Sequence, residues 1–407
     1  MAERKEIILE PHNDIELGRK REPLKVSMFI PSSGINNETG VILLIPGFNG
    51  FVDLSYFRDQ FAPYTADNLN CIAVVAQYFG CLRNAGIQFK DSFLYNINRI
   101  YGLKLTTEEF KKTKTEDEFY RIIAEAVVQR GITSLDPRCQ PTISTGKGEY
   151  QSWGLLPAID YLQALGEVLK NYPVNLKRII AYGTGYGGYV ALLLGKYAPS
   201  TFSVIVDRSG YSRAELKHIA CGELIEADYV YAFNIRYSEL QFTIPAGSNN
   251  PWTFEDELSP FYFSDSHRKI RSMFEEKHIV ASDTRYYILH SDSDKEAASL
   301  PDKDRCVALL GKYKSVYYNR IPRASLQEEQ LLNGPHYFSA EDLPLVPDQE
   351  VIEWLDKVDG KRLAKEATAT DFSENNSIVF DCGEYEYIFK FEPDYKLLVS
   401  RKYRERG

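Results

Sequence analysis

Residues 178–199 read RIIAYGTGYGGYVALLLGKYAP, an apolar run that breaks into glycines and resumes as a second apolar stretch before Pro199. The pattern predicts a buried strand turning sharply into a buried helix, because glycine tolerates the tight turn and the apolar residues on either side demand cover. Two arrangements share it. In the first, Gly183-Thr184-Gly185-Tyr186-Gly187 is the elbow that presents a nucleophile at a sheet edge, with glycine standing where the nucleophile belongs. In the second, Gly183-x-Gly185-x-x-Gly188 is a dinucleotide fingerprint, and Asp207, 19 residues past Gly188, is the acid that would meet a ribose.

The rest of the chain decides between them. "EIILEP" and "KVSMFIP" predict an N-terminal antiparallel hairpin. "VILLIPG" (41–47) and "CIAVVAQYF" (71–79) are apolar runs of the kind buried on both faces of a parallel sheet, with a helix expected over 56–64 between them. The alternation then stops. Thr115-x-x-Glu118 reads as a capping box for a helix closed by Gly131, and "DPRCQPTISTGKGEYQ" reads as loop. Leu155, Ile159, Leu162 and Leu169 predict a helix leading into "RIIAY", after which "FSVIVD" (202–207), "RYYILHS" (285–291) and "SVYYNRI" (315–321) follow as strands. A helix is expected near 348–358, and the chain ends in what reads as a β-hairpin or meander.

These features define six segments. Residues 1–100 form the first part of a core, 101–150 a helical insertion, 151–209 core with the elbow, 210–280 a cap-like segment, 281–358 the last part of the core, and 359–407 a β-rich extension. The fold class expected is α/β, a doubly wound and mostly parallel sheet. A dinucleotide fingerprint opens its domain, whereas here the glycines come after at least four strands. An α/β-hydrolase places its elbow after the fifth strand, with the acid and then the base downstream. Asp294 follows strand 285–291 at the spacing expected of the acid, with Asp292 as second choice, and His336 in "LLNGPHYF" follows as the base. "IPGFNGF" supplies a turn whose backbone N–H, at Phe48 or Asn49, can face an oxyanion, with the Tyr186 N–H as the second donor. The hydrolase reading explains more of the chain.

At this point the sequence resembles a family of bacterial α/β-hydrolase-like proteins encoded near flagellin-glycosylation genes. The matching pieces are "IPGFNG", "YFGCLRNAG", "GEYQSWGLLPAIDYLQAL", "GTGYGGYVA", "FYFSDSHRKIRSMF" and "GPHYF", and the resemblance runs over nearly all of residues 8–340. The resemblance implies a hydrolase fold and glycan-related work. That family's elbow reads Gly-Ser-Ser-x-Gly-Gly-Tyr, which aligns its nucleophile with Gly185, so this chain departs at the position the chemistry most needs.

Other candidates read as structural. Thr184 is expected in packing, Ser209 in a turn or cap, His290 packed on its strand, and Asp302 or Asp304 as the cap of the helix after 300. His12, His218, His267 and His278 have no partner that sequence identifies. The aromatic residues of 210–280 read first as core and cap, and second as a floor for a sugar ring.

Composition narrows the function further. A net charge of -9 argues against a nucleic-acid partner, and the basic end (Arg401, Lys402, Arg404, Arg406) reads as a solvated tail. No apolar run approaches a membrane span, and the six scattered cysteines (71, 81, 139, 221, 306, 382) suit a reduced, cytoplasmic protein without a zinc site. Three functions remain, none needing a metal. The first is a serine esterase or deacylase type, acting on or binding an acylated sugar or glycan and inactive as written. The second is a non-catalytic binder or chaperone for a flagellar or glycosylation protein. The third is an oxidoreductase holding NAD(P) at Gly183, Gly185 and Gly188.

Overall fold

The apolar runs become one eight-stranded sheet. Its strands are β1 (Glu3–Leu9), β2 (Leu24–Ile30), β3 (Gly40–Ile45), β4 (Cys71–Ala76), β5 (Ile179–Thr184), β6 (Val204–Arg208), β7 (Arg285–Ser291) and β8 (Ser315–Ile321). They lie in the order β1-β2-β4-β3-β5-β6-β7-β8. β2 is antiparallel to both neighbours, and every pair from β4 to β8 is parallel. All residues of β3, β4, β5 and β6 are buried, as strands covered on both faces must be. The edge strand β1 alternates exposed and half-buried residues. This computed structural model describes residues 1–47, 51–81, 87–88, 91–113, 116–136, 142–143, 149–216, 219, 229–235, 238–244, 251–291, 299–321, 352, 355 and 363–404.

The chain divides into two compact units, the first made of residues 1–81, 152–214 and 264–407, the second of 82–151 and 215–263. Around the sheet of the first unit stand α1 (Phe51–Tyr56), which continues through a π-helical stretch (Phe57–Phe61) into α2 (Ala62–Leu69), then α3 (Leu155–Asn171), α4 (Tyr186–Tyr197), α5 (Asp265–Arg271) and α6 (Leu300–Leu310). All twelve residues of α4 are buried, which an amphipathic surface helix could not show. Part of its cover is a three-stranded antiparallel meander, β9 (Ser377–Asp381), β10 (Tyr385–Glu392) and β11 (Lys396–Tyr403). Phe389 stacks on Tyr197 with ring centroids 4.5 Å apart. Gly166 on α3 lets the turn before β11 come close, since a Cβ there would lie 2.3 Å from Tyr395 O.

Buried charges join distant parts of this unit. Arg271 on α5 forms a two-pronged pair with Glu16, Nη1 to Oε1 at 2.8 Å and Nη2 to Oε2 at 2.5 Å, with both side chains fully buried. Tyr387 on β10 donates to the same carboxylate at 2.9 Å, and Arg401 on β11 donates to Glu16 O at 3.0 Å. Burial alone would raise the Glu16 carboxyl, but the Arg271 charge and hydrogen bonds outweigh it and hold the group at about 2. Arg21 likewise grips both oxygens of Asp160 on α3, which also accepts from Phe79 N at 2.8 Å.

In the second unit, helices Asp91–Tyr101, Thr107–Phe110 and Glu116–Val128 enclose a core that includes Ile97, Phe110, Tyr120, Ile123 and Val127. The last of these helices packs on the hairpin Tyr229–Ile235/Ser238–Ile244, so the segments before and after the elbow meet in one unit. Thr115 lies outside the described residues. A capping box in this unit pairs Thr106 with Glu109, whose Oε2 accepts from Thr106 N at 2.6 Å.

Candidate active site

β3, β5, β6 and β7 end at one edge of the sheet, at Ile45, Thr184, Arg208 and Ser291. In a parallel sheet this carboxyl edge is where loops can gather groups around a ligand. β5 turns into α4 through Gly185, whose N–H donates to Arg208 O at 2.7 Å and whose carbonyl accepts from Tyr189 N at 3.2 Å. Its φ of 55° and ψ of −118° match the first central residue of a type II′ turn and lie outside the left-handed helical region.

The neighbouring glycines serve a different need. A Cβ at Gly183 would sit 2.1 Å from Gly187 O, one at Gly187 2.0 Å from Ile45 O, and one at Gly188 2.3 Å from Asp207 Oδ1. At Gly185 it would meet nothing within 4 Å among the described residues. Three glycines therefore allow close packing, whereas Gly185 answers only to its dihedrals. Gly187→Ala should cost about 1–3 kcal/mol through overpacking against β3. Chemical denaturation measures this, and an unchanged midpoint would contradict the packing.

Tyr186, the first residue of α4, is buried, and its hydroxyl accepts from Gly154 N at 2.7 Å. Its ring lies 4.9 Å from Trp153 and 6.0 Å from Tyr78. Burial pushes the phenol up from its ordinary value, so it stays neutral. Tyr189, one turn later, donates to Arg271 O at 2.6 Å. The elbow helix is thus tied to both α3 and α5. Phe48, Asn49, Asp292, Asp294 and His336 lie outside the described residues.

Asp207, the acid of the dinucleotide reading, is committed elsewhere. It is fully buried, accepts from Lys303 Nζ on α6 at 2.6 Å, and holds the next turn through Gly210 N at 2.7 Å. The strand carrying the glycines is central in the sheet rather than the start of it. The helix at 300 is capped by Ser299, whose side chain accepts from Asp302 N. The reading of Asp302 or Asp304 as its cap is therefore corrected. Ser299 supplies a short hydroxyl at the N-cap, while Asp302 pairs with Arg213 and Asp304 accepts from Tyr318 at 2.9 Å.

The histidines that sequence left unassigned have structural partners. His12 accepts from Val399 N at 2.8 Å, and His267 faces Arg401 at 2.9 Å. His278 donates to Asp381 O at 2.9 Å, so all three hold the meander. His218 lies outside the described residues, and His290 is buried in β7. Ser209 sits in the turn after β6 at φ 51°, fully buried, and among the described residues its hydroxyl has no hydrogen-bond partner, nor has that of Thr184. In the second unit, Trp252 and Phe254 pack edge-on against Phe263.

Sequence reading missed Tyr78 and Tyr161. Tyr161 donates to Leu44 O at 2.8 Å and accepts from Ala76 N at 3.2 Å, bridging β3 and β4 where their ladder ends. Tyr78 bonds the turn after β3. The only signal for Tyr78 was its place just past an apolar strand, and Tyr161 lies within α3. Among the described residues, no His, Cys, Asp and Glu side chains gather in a group of three or more that could hold a metal, and no helix is long and apolar enough to cross a membrane.

Strand order and elbow together define an α/β-hydrolase fold. The chain belongs to the family described as "Protein of unknown function (DUF2920)", whose model matches residues 5–399. No curated protein matches it. Among solved structures it is similar to the uncomplexed acylaminoacyl peptidase of Pyrococcus horikoshii, at 14% identity and a TM-score of 0.44 over 92% of this chain and 44% of that one. It is also similar to a thermostable esterase, at 14% identity and 0.40 over 87% and 62%. A third is an acylaminoacyl peptidase in complex with Z-Gly-Gly-Phe-chloromethyl ketone, at 14% identity and 0.45 over 92% and 44%. The chain spans less than two thirds of the length of each of these three.

Proposed function

We propose that this chain is of the serine esterase or deacylase type, with Gly185 in the nucleophile's place, and that it binds an acylated sugar or glycan without turning it over. Asp294 and His336 are the acid and base of the site, and the N–H groups of Phe48 or Asn49 and of Tyr186 form its oxyanion hole. One observation carries the reading. Gly185 holds a turn conformation that would strain any residue but glycine, at the sheet's carboxyl edge, with no atom of the described residues within 4 Å of where a Cβ would stand. A turn under no functional demand would more readily relax into a conformation open to other residues. Without an apex side chain no covalent acyl intermediate can form, although an oxyanion hole and a His-Asp pair could still polarise an ester. The sequence resemblance directs the ligand search to the cytoplasm and to flagellin glycosylation, where a flagellar or glycosylation protein is the expected partner.

The test is hydrolysis of aryl acetates and acylated sugars by the unmodified chain beside its His336→Ala variant. Both should give only background rates, while the unmodified chain retains saturable binding of an acylated sugar. Robust hydrolysis lost on His336→Ala would show that another nucleophile, or a water activated by that imidazole, does the chemistry.

A further inference from the structure

We propose that the first unit holds a small monovalent anion, of halide size, in a pocket at the far end of α4 from the elbow. The pocket is lined by Gly195 and Lys196 of α4, by the segment after α5, by Tyr286 of β7 and by Lys314 beyond α6. Its volume of about 280 Å³ includes an open mouth, and its interior has room for a group the size of one water. A chloride ion is close to that size, and a sugar is not. Gly195 stands about 15 Å along the helix axis from Gly185, so the pocket is no part of the elbow.

Two buried cations reach this pocket without an adjacent counter-charge. Lys196 Nζ donates to Lys269 O at 3.1 Å, Ile270 O at 2.7 Å and Ser272 O at 2.8 Å, which occupies all three of its N–H groups with neutral carbonyls. Lys314, 8% exposed, donates to Ser282 Oγ, and its other two N–H groups have no partner among the described residues. Burial pulls Lys196 down to about 7 and Lys314 down to about 8, as it does for ammonium groups held out of water. Glu275 lines the same pocket and offsets the Lys196 charge from a distance, which leaves two ammonium groups against one carboxylate. The Tyr286 hydroxyl is the second donor. The residue is 1% exposed, its oxygen lies where a Cβ on Gly195 would come within 2.3 Å, and no described residue accepts its proton. Burial raises the phenol above its ordinary value, so the proton stays. His278 adds no donor. Burial and the Lys196 charge lower it to about 4, and its Nε2–H is spent on Asp381 O. A water in the pocket would accept from Lys314 and Tyr286 but leave the excess positive charge as it is. An anion satisfies the donors and offsets the charge together.

The experiment follows thermal melting of the full chain as sodium gluconate, whose anion is too large to enter, is exchanged for sodium chloride at constant ionic strength. A ligand that binds only the folded chain raises its melting temperature. We expect the wild type to gain about 2 °C at about 0.3 M chloride, and Lys314→Met to gain about half of that or less. Tyr286→Phe keeps the ring and removes a hydroxyl that bonds no described residue. It should melt with the wild type in gluconate and lose part of the chloride gain. Wild-type crystals soaked in bromide should show an anomalous scatterer between Lys314 Nζ and Tyr286 Oη. Equal chloride gains in all three proteins, or a pocket without bromide, overturn the proposal. Bromide in the crystal with no chloride gain in solution marks an adventitious ion only and overturns it as well. A gain with acetate and none with chloride would assign a carboxylate and sink the halide. None of these outcomes bears on the function proposed for Gly185, because pocket and elbow share no residue.

Discussion

Gly185→Ser is expected to convert a chain that ignores fluorophosphonates and aryl acetates into one that reacts with both. The added Cβ enters space in which it meets nothing within 4 Å among the described residues. The hydroxyl would stand at the N-terminus of a twelve-residue helix, where backbone N–H groups and the helix dipole favour developing negative charge. With the proposed base His336 and acid Asp294, covalent acyl transfer opens as a route. Removing a serine nucleophile from a triad costs several powers of ten in kcat, so restoring it should raise the rate by at least about 1,000-fold. The gain has a structural cost. A non-glycine residue at φ 55°, ψ −118° carries about 1–3 kcal/mol of backbone strain, and the denaturation midpoint should fall accordingly. A serine variant that is folded, strained and still inert would mean that the remaining catalytic parts have decayed or were never assembled.

Glu16→Gln is expected to give the largest loss of stability among single side-chain changes to the first unit's core. It leaves the Arg271 guanidinium buried without its counter-charge, and breaking such a pair from one side costs about 3–5 kcal/mol. It also weakens the acceptor of Tyr387 and so loosens the meander over α4. The pH dependence carries the same signature. The Glu16 carboxyl is held at about 2 in the fold against an ordinary 4.5. Its contribution is therefore complete above pH 4.5 and is lost as pH falls from there toward 2. Thermal melting of the wild type should steepen its decline over that window, and Glu16→Gln should flatten it. Parallel acid profiles for the two proteins would assign the acid sensitivity to other carboxylates.

The core sheet was legible because its strands are short continuous apolar runs. VILLI, CIAVVA, IIAYGT and SVIVD could hardly be anything but strands covered on both faces, and their order before and after the elbow fixed the doubly wound class. The elbow was legible from its glycines, although sequence could not separate those that allow close packing from the one whose Cβ would meet no described neighbour. Residues 101–150 and 210–280 read as separate insertions because no local pattern announces that a helix at 116–128 and a hairpin at 229–244 pack together. Nothing in the sequence around Glu16 singles it out. Its partner Arg271 is 255 residues away, and only the folded chain reveals that both are buried. Tyr78 was missed for the same reason, since its importance lies in the carbonyls it meets rather than in its own neighbourhood along the chain.

The central claim, that position 185 is a nucleophile site without its nucleophile, is tested most directly by intact-mass measurement after exposure to a fluorophosphonate, with peptide mapping of any adduct. The unmodified chain should show no added mass. Gly185→Ser should gain one phosphonyl group, mapped to residue 185 and abolished by His336→Ala. An adduct on the unmodified chain, at Ser209 or any other hydroxyl, or an adduct on the serine variant that maps away from residue 185, would contradict the claim.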